Sequence, residues 1–304
     1  MKLPFVKMHG LGNDFLVFDV RDLEIDFKTR LAERLCDRHF GIGADGVLLF
    51  TGEKYEPTMT VINADGSVPE MCGNGLRCFV KYMADRHDVY GDGMFVHTDA
   101  GKLFCEMHKH AGGRVAEVSV AMGTPTFAPG AVPAAAQQPV IDKEIKAAGR
   151  YLRITAVGTG NPHGVVFDPF TPHEREAVAP ELGSHELFPA GANIEFCRVL
   201  SAIDDDYDPR GPTGEDNVPM VQMRCDVYER GCGWTLACGT GATAAVCAAV
   251  KLGHIPVESA ARGVRVKLPG GWLTIVLDAD GAATMTGPAT EVFTGEVEVM
   301  PRRD

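Results

Sequence analysis

Cysteine stands directly before Gly-x-Gly twice in this chain, as MCGNGLRC at 71–78 and as ACGTGATA at 237–244. The surroundings repeat as well. GLGNDFLVFD (10–19) and GTGNPHGVVFD (158–168) are both Gly-x-Gly-Asn followed by an apolar run that ends in Asp. MTVINADGSVPEMCGNG (59–75) and CDVYERGCGWTLACGTG (225–241) are both a strand-like run, a Gly-containing turn and Cys-Gly-x-Gly. Superposing Cys72 on Cys238 sets Asn63 against Glu229, each nine residues before its thiol. One order of elements used twice at this spacing implies two duplicated halves able to face each other across a cleft, not a solenoid of short repeats.

Local patterns agree with that order. VQMRCDV (221–227) alternates apolar Val221, Met223, Cys225 and Val227 with polar neighbours, as a half-buried strand does. After Cys72, Leu76, Phe79, Val80 and Met83 recur at helical spacing. Residues 242–250, ATAAVCAAV, are apolar on every face and predict a helix enclosed by other structure, closed by Lys251 and Gly253. Both cysteines are therefore expected at helix N-termini. The tract 126–139, rich in Pro and Ala, reads as an interdomain loop, and the acidic 204–217 as an exposed excursion between strands.

Composition narrows the partners. The 304 residues suit two domains of ordinary size, and 45% hydrophobic with 23% charged residues is globular. A net charge of −12 argues against nucleic acid or an anionic membrane as partner. MKLPFVKMHGLGNDF carries no export signal, and no apolar stretch spans a bilayer. Nine scattered cysteines without such a signal point to free thiols in a reducing cytoplasm.

Several familiar chemistries fit poorly. Cys72 and Cys78, like Cys232 and Cys238, have five residues between them, where structural zinc wants two to four, so no metal site is expected. There is no Cys-x-x-Cys. GIGADG (41–46) matches a dinucleotide fingerprint by letter, yet it follows a helical run and precedes a strand, the reverse of what that fingerprint needs, and reads as a turn. The Gly-rich segments lack the Lys-Ser/Thr of a nucleotide-phosphate loop.

The thiols remain. A helix N-terminus stabilises a thiolate, and the glycines let backbone N–H groups turn toward a ligand. One such cysteine alone is a packing residue. Two in matching positions suit inversion at the α-carbon of an amino acid, where one group takes a proton from one face while the other delivers one to the opposite face. Donors aimed at the developing carbanion matter more than thiolate tuning. A helix dipole supplies about 0.3–2 kcal/mol, whereas one oxyanion donor is worth about 2.7–4. Asn13 and Asn161 are either turn residues or amides facing the ligand, and their symmetric placement favours the ligand. His163 is structural or a neighbour of that ligand. Glu229 and Arg230 are either a surface pair or, respectively, a thiol modulator or ammonium binder and a carboxylate binder; their register with Asn63 favours the latter. A non-catalytic amino-acid binder stays open as an alternative.

KMHGLGNDF, NADGS with CGNGLRC, GTGNPHG, Ala192-Asn193, VYERG and ACGTGA resemble, in order and over nearly the whole chain, the signature segments of the diaminopimelate epimerase family. The resemblance implies an α+β fold of two pseudo-symmetric domains, each a curved mixed β-sheet wrapped around a central helix. The halves are expected at 1–121 plus 285–304, carrying Cys72, and at 122–284, carrying Cys238. It implies a cofactor-independent isomerase, cytoplasmic and homodimeric, that interconverts LL- and meso-2,6-diaminopimelate for lysine and peptidoglycan synthesis. Cys72 and Cys238 would be acid and base, with His163 and Glu229 modulating them. Substrate contacts would come from Asn13, Asn63, Gly73, Asn74, Asn161, Asn193, Glu229, Arg230, Gly239 and Thr240. Three departures bear on substrate choice. Gly46 stands where some members carry a substrate-contacting Gln, Trp234 where Glu or a smaller residue is commoner, and 204–217 is longer than usual. A racemase of another amino acid on the same scaffold is the nearest alternative.

Overall fold

A computed structural model describes residues 2–21, 27, 29–87, 89, 91–214 and 218–299. In chain order the first elements are β1 (Lys2–Gly10), β2 (Asn13–Asp19), α1 (Thr29–Cys36), β3 (Gly46–Glu53), β4 (Glu56–Asn63), α2 (Gly73–Arg86), β5 (Gly93–Thr98), β6 (Gly101–Lys109) and β7 (Val115–Gly123). Then come β8 (Lys143–Ala147), β9 (Arg150–Gly158), β10 (Pro162–Val166), α3 (Pro172–Gly183), β11 (Asn193–Val199), β12 (Val221–Glu229), β13 (Gly233–Thr235), α4 (Gly239–Lys251) and α5 (Val257–Arg262). The chain ends with β14 (Val264–Leu268), β15 (Gly271–Leu277), β16 (Ala283–Pro288) and β17 (Thr290–Glu298). Two compact units result: Met1–Val120 with Thr286–Asp304, and Ala121–Met285.

In the first unit β1 pairs antiparallel with β2 and, on its other side, with β17. From β2 onward the pairing runs parallel to β3, antiparallel to β4, parallel to β5 and antiparallel to β6. In the second unit β9 and β10 are antiparallel, and the series then runs parallel to β11, antiparallel to β12, parallel to β14 and antiparallel to β15. The alternation is the same in both. Each parallel pair needs a crossover, and helices supply them at matching points: α1 and α3 for the first, α2 and α4 for the second.

The register matches residue by residue. Phe15 pairs with Gly46, Val17 with Leu48, and Gly46 in turn with Asn63. His163 pairs with Asn193, Val165 with Glu195, and Glu195 with Val227. Thus Phe15 corresponds to His163, Gly46 to Asn193, Leu48 to Glu195 and Asn63 to Glu229. The last equivalence is the one set by counting back from the cysteines.

Strands covered on both faces read as unbroken apolar runs, and Phe15–Phe18 of β2 are all buried. Leu16 and Phe18 join a core cluster with Ala32 and Leu35 of α1. Phe15 faces the other way, toward Gly75 at the start of α2. α2 is buried without interruption from Asn74 to Met83, and α4 from Gly241 to Ala249. These two helices are the centres of their units. In the second unit Val178, Ala179 and Leu182 of α3 pack with Ile154, Val166 and Ile194.

One loop differs from expectation. The tract 126–139 lies inside the second unit, not between units, because Val132 is buried in that core with Ala134 and Ala136 packed on it. The acidic excursion is tied down. Asp206 pairs with Arg224 and Asp208 with Arg265, while Gln222 bridges to the Asp208 backbone. Its residues 215–217 lie outside the described residues.

Candidate active site

Cys72 and Cys238 are the N-cap residues of α2 and α4. Their backbones are nearly identical, φ −135 and ψ 112 for Cys72, φ −129 and ψ 112 for Cys238. Each sulfur accepts an N–H from the glycine three residues on, Gly75 at 3.5 Å and Gly241 at 3.4 Å. A helix start leaves its first N–H groups without intrahelical partners. Gly73 and Asn74, and Gly239 and Thr240, supply those groups beside each thiol.

Around Cys72 the polar side chains form a fixed relay. The wholly buried Arg77 donates to Asn74 Oδ1 at 2.9 Å and is itself held by the Pro288 carbonyl at 3.2 Å. Asn74 Nδ2 then donates to Asn13 Oδ1 at 3.1 Å, and Asn13 Nδ2 donates to Asp45 Oδ2 at 2.9 Å. Asn13 Oδ1 also faces the Cys72 sulfur at 3.9 Å. Behind Asp45, Arg38 joins Asp45 and Asp14, and Lys7 pairs with Asp14. Burial pushes the Asp14 carboxyl up, but Arg38 and Lys7 outweigh it and hold the group below its ordinary range. Asn63 ends β4 opposite Gly46, its amide donating to Ser67.

Cys238 is 6% exposed. Burial first, then the charges of Glu229 and Glu195, push its thiol well above the usual range, against the opposing bonds from Thr240 and Gly241. Glu229 accepts from Thr235 Oγ1 at 2.5 Å. Asn193 Oδ1 accepts the Arg230 N–H at 2.9 Å, and the Arg230 guanidinium reaches the Ala190 carbonyl at 2.9 Å. Asn161 and His163 meet directly, with Nε2 of the ring 2.9 Å from Asn161 Oδ1. Asn13 therefore stands beside Cys72 and Glu229 beside Cys238, while Asn161 joins His163 and Asn193 joins Arg230.

Three contributors escaped the sequence reading: Asp45, Arg77 and Glu195. Glu195, an acid set between Ile194 and Phe196 in a wholly buried run, was the one with a visible signal. Trp234 is structural. Its indole donates to Glu176 at 2.9 Å, and its ring packs on Phe196 and Tyr228. Among the described residues no group of three or more His, Cys, Asp or Glu is placed to hold a metal ion, and no helix is long and apolar enough to cross a membrane.

Solved structures with this fold include a phenazine biosynthesis protein of the PhzF family from Bacillus anthracis, with TM-score 0.65 and 14% identity over 98% of this chain and 100% of that one. A probable proline racemase from Agrobacterium radiobacter gives 0.65 and 13%, covering 99% and 94%. At such identities the likeness concerns the fold, which is the two-domain α+β architecture. Sequence relatives are nearer. A diaminopimelate epimerase from Carboxydothermus hydrogenoformans is 39% identical, covering 97% of this chain and 99% of the relative. Others from Desulfitobacterium hafniense and Synechocystis are each 40% identical, covering 96% and 98% of this chain and 97% and 100% of the relatives. The diaminopimelate epimerase family model matches residues 5–128 and 155–292. By this match across both units, cysteine elements included, the chain belongs to the diaminopimelate epimerase family.

Proposed function

We propose that this chain is a cofactor-independent epimerase interconverting LL- and meso-2,6-diaminopimelate, with Cys72 and Cys238 as the two acid–base groups. One observation carries the reading: both units present a cysteine N-cap with the same backbone angles and the same N–H···S bond, in a chain whose relatives are named for this activity.

In the reaction one cysteine thiolate takes the α-proton, and the other cysteine's thiol gives its proton to the opposite face. The C–H bond breaks on one side and forms on the other, and the two sulfurs exchange protonation states. Burial and Glu229 push the Cys238 thiol up, and the two cysteines exchange the roles of acid and base with the direction of the reaction. The first-turn N–H groups of Gly73, Asn74, Gly239 and Thr240 receive the α-carboxylate and stabilise the negative charge that develops beside it. Asn13, Asn63, Asn161, Asn193, Glu229 and Arg230 hold the remaining polar groups of the substrate. Arg230 suits a carboxylate and Glu229 an ammonium group. His163 and Glu229 modulate the thiols. The reading includes a cytoplasmic homodimer feeding lysine and peptidoglycan synthesis.

A racemase of another amino acid is the second reading, favoured by Gly46. At the start of β3, opposite Asn63, the first unit has no side chain where the second has Asn193. Chiral chromatography of products from LL-diaminopimelate and from a panel of single-centre amino acids separates the two. Formation of meso-diaminopimelate supports the first; turnover confined to another amino acid selects the second.

A further inference from the structure

Beneath the first turn of each central helix the two units are built differently. In the first, a Cβ added to Gly75 would meet Leu48 at 3.0 Å and Phe15 at 3.6 Å. The equivalent strand positions in the second unit hold Glu195 and His163, and a Cβ on Gly241 would come 2.8 Å from Glu195 Oε1. Both polar residues are 0% exposed. Glu195 Oε1 lies 2.6 Å from His163 Nδ1, while Oε2 has no hydrogen-bond partner among the described residues. Burying a carboxylate with one oxygen unsatisfied is costly. Packing does not demand it, since Leu48 and Phe15 fill the same place in the first unit.

The far side of the imidazole gives the reason. A carbonyl oxygen only accepts, so the 2.9 Å contact to Asn161 Oδ1 puts a hydrogen on His163 Nε2. Thr159 Oγ1 donates to the same oxygen at 3.3 Å. With Oδ1 engaged twice, it is the NH2 that Asn161 would offer to a ligand. Asn13, its counterpart, is likewise held through Oδ1, which accepts from Asn74 Nδ2 and faces the Cys72 sulfur, but its NH2 is tied to Asp45. The duplicated asparagines thus differ at the NH2, and different acids stand behind them.

We propose that Glu195 is a positioning residue: by holding the His163 ring with Nε2–H on Asn161, it commits Asn161 to donate to a carboxylate oxygen of the substrate. This rests on the reading of Asn161 as a substrate contact.

Three variants test it. Glu195→Gln sets an amide N–H donor against His163 Nδ1, which retains the hydrogen on Nε2. Glu195→Leu removes the hold. His163→Phe with Glu195→Leu copies the apolar pair of the first unit, so it folds even where the single Leu variant does not. Nitrogen-15 NMR of the ligand-free protein should show His163 Nε2 protonated in the wild type and Glu195→Gln, and a mixture of tautomers in Glu195→Leu. The KM for diaminopimelate should rise about tenfold in Glu195→Leu and in the double variant, the loss of one hydrogen bond to a charged group. It should stay within about threefold of wild type in Glu195→Gln. An unchanged tautomer in Glu195→Leu, an unchanged KM in the folded double variant, or equal losses in Gln and Leu would each overturn the proposal. A wild type inactive on diaminopimelate would sink the functional reading instead, and the tautomer measurement would still decide whether Glu195 holds the ring.

Discussion

Gly241 gives its backbone N–H to the Cys238 sulfur at 3.4 Å while sitting directly over the buried Glu195. A methyl group there meets Glu195 Oε1 at 2.8 Å and Cys238 Sγ at 3.3 Å, and the carboxylate is held by His163 and has nowhere to go. Gly241→Ala should therefore cost about 1–3 kcal/mol in urea unfolding, the usual range for overpacking. Gly75→Ala, whose nearest obstacle is the end of the Leu48 side chain at 3.0 Å, should cost less. Equal losses would mean that the Glu195 floor is not rigid.

Removing either thiol removes one of the two proton-transfer groups. Cys72→Ala and Cys238→Ala should each lower kcat by about 10²–10⁴-fold, the contribution of a positioned acid or base. Circular dichroism and the unfolding midpoint should stay close to wild type. Substantial epimerisation by either folded variant contradicts a shared task.

The reaction needs one proton on the pair of thiols, so kcat/KM against pH should be a bell whose limbs belong to the pair. Burial and Glu229 raise the Cys238 thiol, so the alkaline limb should lie above the ordinary thiol value of 9.0. Glu229→Gln removes a negative neighbour that disfavours the thiolate and should move that limb to lower pH. The shift must be the same from either isomer, because the ratio of the two kcat/KM values is the overall equilibrium constant. A limb that does not move, or moves up, contradicts the assigned effect of Glu229.

Much of this site could be read before any fold was known, for a physical reason. A thiol at a helix start needs flanking glycine, and the duplication wrote that requirement twice. Counting nine residues back from each cysteine already paired Asn63 with Glu229, and the strand register gives the same pairing. The acids were less visible. Asp45 reaches Asn13 only because β2 and β3 lie side by side. Glu195 reaches His163 through the parallel pairing of β10 with β11. Neither contact leaves a periodic trace in sequence. Val132 was hidden in the 126–139 tract because Pro and Gly around it mark a turn-rich path without saying what that path packs against.

Buried thiols also make the fold sensitive to alkali. Burial raises Cys105 and Cys247 to about 12. A proton held more tightly in the folded state than in the unfolded one gives stability that is complete below the ordinary thiol value of 9.0. That stability falls from there upward and is lost as pH passes through about 12. Each such thiol contributes about 1.4 kcal/mol per pH unit to the decline. Cys105→Ala should flatten the dependence between pH 9 and 11 by about that amount. An unchanged slope would mean that Cys105 titrates alike in both states.

The division of labour between the two cysteines is tested most directly by running LL-diaminopimelate in D2O and stopping at a few per cent conversion. With separate groups on the two faces, the new meso product carries deuterium at the inverted carbon, while recovered LL substrate keeps its protium. Deuterium appearing equally in recovered substrate and product would contradict two separate acid–base groups.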